Sequence, residues 1–249
     1  MNPIIQSLFD RKSVRIFTDE PVTEEEKELL FACAFQAPTA GCQQLYTIID
    51  VTDGAEKVEL SELCDHQPFI AKAPAVFIFC ADCQKWLEGY RSVGLEPRSP
   101  RLGDALLAMT DAVIAAQNVV VAAQALGLGS CYIGDILENE ERVRELLGLP
   151  EFVFPAAMLV IGRPTQQQLE RPKPRRSPRK YMVCENVFEG WESMRVEDFE
   201  DMLFEERSGP LTFREWLTAF WKRKYESAFS LEMSRSVQKW LENFVKEKT

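Results

Sequence analysis

The chain of 249 residues contains a single histidine, His66. This scarcity excludes zinc sites built from several histidines, the HExxH helix and most Ser-His-Asp catalytic arrangements. The phosphate-binding motif GxxxxGK[ST] and the nucleophile motif GxSxG are also missing from the sequence. The side chains therefore offer little machinery for acid–base or nucleophilic chemistry, and the lone histidine is interpreted as packed or solvated.

Cysteine is present but forms no framework. The seven cysteines are odd in number and lack disulfide-type spacing, which is typical of a reducing compartment and favours a cytoplasmic protein. Cys80 and Cys83 form one CxxC pair, whereas a zinc site would need a second pair at matching spacing. A thioredoxin-like motif would need a helix starting at the first cysteine, and Cys80 instead ends a predicted strand. We interpret the pair as structural and expect no metal site.

Neither a nucleic-acid surface nor a membrane span is expected. The formal net charge of -10 disfavours nucleic acids and anionic membranes as partners. The longest apolar run, residues 112–126, is interrupted by Gln117, Asn118 and Gln124 and is interpreted as too short and too polar to cross a bilayer. No N-terminal signal sequence is visible ahead of the first predicted helix.

Two basic segments stand out from this acidic background. The first basic segment, residues 11–15, reads RKSVR, and the second basic segment, residues 171–176, reads RPKPRR. Arginine forks and lysine point charges can converge on one phosphate, so these segments favour a pocket for one anionic small molecule. Two solvated basic segments are the alternative. Because catalytic side chains are scarce, an anion pocket beside a large apolar core favours a cofactor that performs the chemistry.

The hydrophobic pattern alternates strands with helices and predicts an α+β or α/β sandwich. Strands are predicted over residues 45–51, 75–81, 130–136 and 153–161. Helices are predicted over residues 3–9, 23–37, 55–65, 102–126 and 140–147. Residues 163–180 hold several prolines and many cations and are predicted to be extended. Beyond them the pattern is helical again, over residues 196–206, 212–229 and 231–246.

Several stretches of the sequence together resemble one known family. The chain reads RKSVR at residues 11–15, APTAGCQ at 37–43, ALGLGSCYIG at 125–134, and IGRP at 161–164 followed by KPR at 173–175. In this order and spacing they resemble the nitroreductase family of FMN-dependent NAD(P)H oxidoreductases. Within that family the chain is most similar to the larger, NADPH-preferring, oxygen-insensitive group.

The resemblance implies a fold and an assembly. The fold would be α+β, a nitroreductase-like three-layer α/β sandwich with a mixed central sheet and a long central helix at a dimer interface. Residues 1–180 would form the FMN-binding core. Residues 181–249 would form a helical C-terminal extension that packs on the core or on the dimer partner. FMN would be held at the interface of a homodimer.

The resemblance also implies which residues hold the cofactor. The FMN phosphate would be bound by Arg11, Lys12, Ser13, Lys173 and Arg175. Arg15 would lie beside the flavin N1/O2 edge, where its charge would stabilise negative charge on the ring. Further flavin contacts would come from the Gln67 side chain, from Thr39 and Gln43 of the partner subunit, and from the backbone N–H groups of Gly129 and Ser130 near N5.

One further residue is implied to bind the reductant. Arg207 is the candidate ligand of the 2′-phosphate of NADPH, a group that is usually bound by an arginine or lysine. The alternative is a solvated cation balanced by Glu205 and Glu206, and those acids would make the preference for NADPH over NADH mild. The chain also carries Ser130 and Cys131 where close relatives are often glycine-rich, which could alter the geometry near flavin N5.

The function implied by the resemblance is hydride transfer through flavin N5 in a ping-pong cycle. NADPH would be the reductant, and nitroaromatics, quinones or free flavins would be reduced by two electrons at a time. One alternative is a flavoenzyme of the same fold with other chemistry, such as a dehalogenase. A second alternative is a non-enzymatic flavin-binding or sensor protein, and a third is a structural α/β protein with solvated basic segments.

Overall fold

The computed structural model describes residues 1–204 and 210–245. The strands of the described chain are β1 (Tyr46–Asp50), β2 (Ala75–Asp82), β3 (Gly129–Ile133) and β4 (Val153–Gly162). The helices before β3 are α1 (Pro3–Asp10), α2 (Glu24–Phe35), α3 (Gly54–Leu63), α4 (Pro68–Ala71), α5 (Gln84–Ser92) and α6 (Leu102–Ala125). The later helices are α7 (Glu140–Leu147), α8 (Gln166–Glu170), α9 (Arg179–Met182), α10 (Val196–Leu203), α11 (Phe213–Lys224) and α12 (Ala228–Val245).

The four strands form one sheet in the order β1-β2-β4-β3. Every residue of the central strands β2 and β4 is buried, so both faces of the sheet are covered, as the two continuous apolar runs indicate. The α+β class is confirmed. The expected mixed sheet is wrong for the described residues, because all three strand pairings are antiparallel. Their one parallel contact is an isolated bridge between Ser13 and Ser130.

Helix α6 is the core helix of the fold. It packs on β2 and β4 and against α2, and small residues such as Ala108, Ala112 and Ala115 are fully buried. With 24 residues it is long and apolar enough to cross a membrane by length and composition. The expectation from residues 112–126 alone, that the apolar run is too short and too polar to do so, is therefore wrong for the whole helix. Its packing against the sheet, rather than its length, makes it a helix of the protein core.

Most predicted elements are confirmed, with departures at short helices. Thr23 and Glu26 form the expected capping box at the start of α2. The segment 163–180 is not extended throughout, because glutamines 166–168 favour a helical turn and α8 forms there. Helices α4 and α5 were not predicted from the sequence. Helix α4 begins with Pro68, which is well suited to a first helical position.

The chain falls into two compact units. The first unit contains residues 1–171 together with the described residues from 232 onward, and the second contains residues 172–231. In the first unit, Trp240 of α12 is 1% exposed and its indole N–H donates to the Leu137 carbonyl at 2.9 Å. The last helix therefore completes the core, while the predicted division at residue 180 stays a prediction.

The second unit has its own small set of contacts. The rings of Phe213, Trp216 and Phe220 stack in succession along α11, and the ring of Phe204 packs edge-on against the first two. Asp201 of α10 accepts from the Tyr181 hydroxyl at 3.0 Å and also faces basic residues of the same unit.

Candidate cofactor site

The first basic segment lies alongside β3. Ser13 forms a parallel bridge with Ser130, and the Val14 N–H donates to the Ser130 carbonyl at 2.9 Å. The approach requires glycine at position 129, because a Cβ there would lie 2.6 Å from Val14 Cγ2. The structure therefore brings Ser13, Gly129 and Ser130, all predicted cofactor residues, into one place.

Two arginines of the first basic segment converge on the same strand. Burial raises the pKa of the Cys131 thiol, and the charges of Arg15 and Arg11 and a hydrogen bond with Ser13 oppose this rise. All three groups must lie close to Cys131 to act on it. The segment therefore concentrates positive charge at β3, as expected for an anion pocket.

Arg11 carries an unsatisfied donor at this place. Its Nε is buried and has no hydrogen-bond partner among the described residues. A buried donor of this kind costs free energy unless an acceptor reaches it. An anionic ligand beside the first basic segment would supply that acceptor.

Lys12 has a different position from its neighbours. Its Nζ donates to the carbonyls of Leu169 at 2.6 Å and Arg171 at 2.5 Å. These carbonyls lie at the end of α8, so Lys12 ties the first basic segment to that helix. Its predicted contact with a phosphate stays a prediction.

Arg171 was not among the residues predicted for the site, although it opens the second basic segment. Its Nη2 donates to the Ser13 carbonyl at 2.5 Å. The start of the second basic segment is thus joined to the first. The run of basic residues from 171 to 176 indicated an anion site in the sequence, but it did not distinguish Arg171 from its neighbours.

An open cleft of about 740 Å³ adjoins Arg15. The Arg15 guanidinium carbon lies 5.9 Å from the centre of the Phe69 ring, and its backbone N–H donates to Gln168 Oε1 at 3.3 Å. The cleft is lined by Arg15, Ile16, Phe17, Thr18, Asp19, Pro21, Pro68, Phe69, Lys72 and Pro74. Its size is within the range of small-molecule sites, and its lining is mainly apolar.

The Gln67 side chain is oriented by two protein acceptors. Its Nε2 donates to the Cys64 carbonyl at 2.7 Å and to Asp135 Oδ2 at 2.9 Å. Both amide hydrogens are therefore committed, and the side-chain oxygen is the atom left to contact a ligand. Asp135 had no role in the sequence analysis because it lies in the turn 134–137 that follows β3.

The loop that carries Thr39 and Gln43 is fastened to α6. Asp111 is 2% exposed, and its two carboxylate oxygens accept from the N–H groups of Ala40 at 2.9 Å and Leu45 at 3.2 Å. Within the loop, Thr39 Oγ1 accepts from the Gln44 N–H at 3.2 Å, and the Gln43 carbonyl accepts from the Trp86 indole. The predicted reach of Thr39 and Gln43 to a partner's flavin stays a prediction.

The remaining predicted site residues lie elsewhere. Lys173 and Arg175 belong to the second unit, where the Arg175 guanidinium donates to Asp201 Oδ1 at 3.0 Å. The predicted contacts of Lys173 and Arg175 with the FMN phosphate stay a prediction. Arg207 lies outside the described residues.

The fold is that of an α+β protein with a cluster of basic residues beside β3, the edge strand of its sheet. A family model described as the nitroreductase family matches residues 8–163. The chain belongs to the nitroreductase family.

Individual relatives agree along most or all of the chain. The "FMN reductase (NADPH)" of Bacillus subtilis is 31% identical over 100% of this chain and 98% of its own. The "oxygen-insensitive NADPH nitroreductase" of Salmonella typhimurium is 33% identical over 82% of each chain. Among solved structures, B. megaterium NfrA2 superposes with a TM-score of 0.81 at 29% identity, covering 100% of both chains.

Proposed function

We propose that the protein is an FMN-dependent NAD(P)H oxidoreductase that uses NADPH to reduce free flavins, nitroaromatics or quinones by two-electron steps. The names of its relatives as NADPH-dependent FMN reductase and nitroreductase support this function. The structural observation that carries it is the buried Arg11 Nε, which has no acceptor among residues 1–204 and 210–245, next to the backbone contact between Ser13 and Ser130.

The residues present fit FMN. Arg11 and Ser13 would hold the phosphate, and the contribution expected of Lys173 and Arg175 stays a prediction from the sequence. Gly129 lets Val14 pack closely against β3 and so holds the first basic segment beside Ser130, and the Gln67 side-chain oxygen is left to accept from a ligand donor. Bound FMN supplies the redox chemistry, accepting a hydride from NADPH and passing the electrons to the acceptor.

The protein's own contribution is binding and electrostatics. Arg15 is exposed beside the open cleft, where its positive charge would stabilise negative charge on the flavin ring. Phe17 and Phe69 give the cleft an apolar lining, so an acceptor would be held mainly by ring contacts. Few polar groups select among acceptors in such a site, and we expect a broad acceptor range.

The proposed assembly is a homodimer in the cytoplasm. Helices α1 and α6 pack on each other and expose large apolar residues: Ile4, Leu8, Phe9, Leu102, Leu106 and Leu107. A group of this kind on a monomer is typical of a protein–protein contact. The second half of α6, whose apolar character suggested the interface from the sequence, contributes mainly to the core of its own chain.

The test is the absorption spectrum and FMN affinity of the purified protein, with NADPH oxidation measured on adding free FMN, a quinone or a nitroaromatic. The variant R11A should bind FMN ten- to a hundred-fold more weakly, because a charge-assisted hydrogen bond contributes about 1.5–3 kcal/mol. The matched control is R91A, which removes an exposed arginine that pairs with Glu88 on the same helix, α5. A parent that takes up no FMN, or an R11A variant that binds like R91A, would refute the assignment.

A further inference from the structure

A buried carboxyl group lies behind the proposed flavin contact of Gln67. Glu138 follows the turn 134–137, is 4% exposed, and its Oε1 has no hydrogen-bond partner among the described residues. Three acidic groups act on it: Asp135 from the same turn, Asp65 from the loop after α3, and Glu232 from α12.

Two basic side chains on the neighbouring elements are engaged with other acids. Arg235 of α12 is engaged with Glu232 at 2.9 Å and with Glu141 at 2.8 Å. His66 is exposed and contacts Glu62. The Cys64 thiol also faces the group, and its pKa is raised by burial and by the charges of Asp135 and Glu138.

Glu138 therefore carries a proton at neutral pH. Burial, the charge of Asp135 and the charge of Asp65 raise the pKa of Glu138 to about 8. The Glu138 backbone N–H donates to the Asp135 carbonyl at 3.0 Å, and the Asp135 carboxylate is one of the groups that raise the pKa of Glu138. A protonated Glu138 would donate to Asp135, because an ionised carboxylate can only accept.

The same Asp135 orients the Gln67 amide. Asp135 Oδ2 accepts from Gln67 Nε2 at 2.9 Å, so a short relay of hydrogen bonds runs from Glu138 through Asp135 to Gln67. The loop in between is strained, because Asp65 and His66 have φ of 58° and 51°, which residues other than glycine rarely adopt. Asn139, next to Glu138, holds the start of this loop through a 2.7 Å bond from its Nδ2 to the Leu63 carbonyl.

We propose that Glu138 is a positioning residue that, while protonated, fixes Asp135 and through it the Gln67 amide, so that the protein binds FMN less tightly once this proton is lost at alkaline pH. The inference rests on the proposed function, since it gives Gln67 a contact with the flavin. When Glu138 ionises, two carboxylates face each other, Asp135 is displaced, and the strained loop loses its support.

The test is the dissociation constant of FMN, measured by quenching of flavin fluorescence between pH 7 and pH 9. For the parent protein we expect the constant to rise up to about ten-fold over this range, the limit that one proton with a pKa near 8 sets. The variant E138Q keeps a donor toward Asp135 at every pH, so its constant should stay flat. The matched control E62Q changes an exposed acid of the same region and should follow the parent.

The variant Q67A separates positioning from structure. It should bind FMN more weakly at pH 7 and should have lost the pH dependence, because the relay then ends before the ligand. The absorption maximum of bound FMN should shift with pH in the parent but not in E138Q. If E138Q does not fold, the parent and Q67A profiles alone decide.

Different results would refute the proposed function and the proposed role of Glu138. A protein that takes up no FMN at any pH refutes the proposed function. A protein that binds FMN with a pH-independent constant, or a Q67A variant that keeps the parent's pH dependence, refutes the role of Glu138 and leaves the function intact.

Discussion

The closest approach in the proposed site, between Gly129 and Val14, gives a sharp test of how the first basic segment is held. In the variant G129A the added methyl would meet Val14 Cγ2 at 2.6 Å, Cβ at 2.8 Å and Cγ1 at 2.9 Å. Carbon atoms attract best at about 3.5–4.0 Å, so the segment would have to move away from β3 by roughly 1 Å. Arg11, Ser13 and Arg15 would move with it.

The expected cost follows from this overlap. Overpacking a close contact destabilises by about 1–3 kcal/mol, and each kcal/mol lowers Tm by about 2–4 °C for a chain of this size. FMN affinity should fall as well, since the phosphate contacts require precise placement. The assays are the Tm of the FMN-free protein and an FMN titration. In a Val14→Gly background, where all three contacting atoms are removed, the same G129A change should cost much less.

A matched glycine provides the control. Gly134 follows the end of β3, and a Cβ there would meet nothing within 4 Å, so G134A should leave Tm and FMN affinity near the parent values. If G129A behaves like G134A, or if its cost is unchanged in the Val14→Gly background, the close contact with Val14 is not what holds the site.

Four other outcomes are expected. In D111A two backbone N–H groups of the loop 40–45 lose their buried acceptor, so chemical denaturation should show a loss of about 2–6 kcal/mol at about 1–3 kcal/mol per group. The pKa of Glu138 in the folded protein, about 8, exceeds that of an exposed glutamate. The stability that Glu138 contributes is therefore full below pH 4.5 and is lost as the pH rises through 8. The variant E138Q should accordingly have a higher Tm than the parent at pH 9 but not at pH 4.5. In R207A the ratio of kcat/KM for NADPH to that for NADH should fall, and an unchanged ratio would exclude Arg207 as the 2′-phosphate ligand. In L106E, which places a charge on the exposed apolar face of α6, sedimentation should show monomer and the purified protein should be depleted of FMN, whereas a dimer of parent strength would refute the proposed interface.

The elements of the fold were predictable where local and tertiary signals agree. The capping box of Thr23 and Glu26 fixed the start of α2, and the apolar runs of β2 and β4 indicated strands covered on both faces. Strand direction was not predictable, because covered antiparallel and parallel strands present the same apolar pattern. The helix predicted over residues 102–126 matches α6, but its length as a possible membrane span was judged only on the apolar run 112–126, which is shorter than the 24 residues of α6.

The candidate site was predictable in its charges and less so in its supports. Arg11, Ser13 and Arg15 lie within five residues of each other, so one short motif was enough to predict that they lie close together. Asp111 accepts from the backbone N–H of Ala40, and Asp135 accepts from the side-chain amide of Gln67. Both partners are distant in sequence, and no local pattern marks an acid that makes such a contact. For Lys12 the local pattern predicted a phosphate contact from its charge alone, whereas its ammonium group donates to two backbone carbonyls in the structure.

The cysteines bear on where electrons are transferred in this protein. Cys80 lies within β2 and Cys83 precedes α5, and both are buried. Burial raises the pKa of both thiols to about 12, so neither is a thiolate at neutral pH. A thiol without thiolate character is a poor nucleophile and is slow to exchange disulfides. Cys80 and Cys83 are therefore poorly suited to thiol–disulfide exchange.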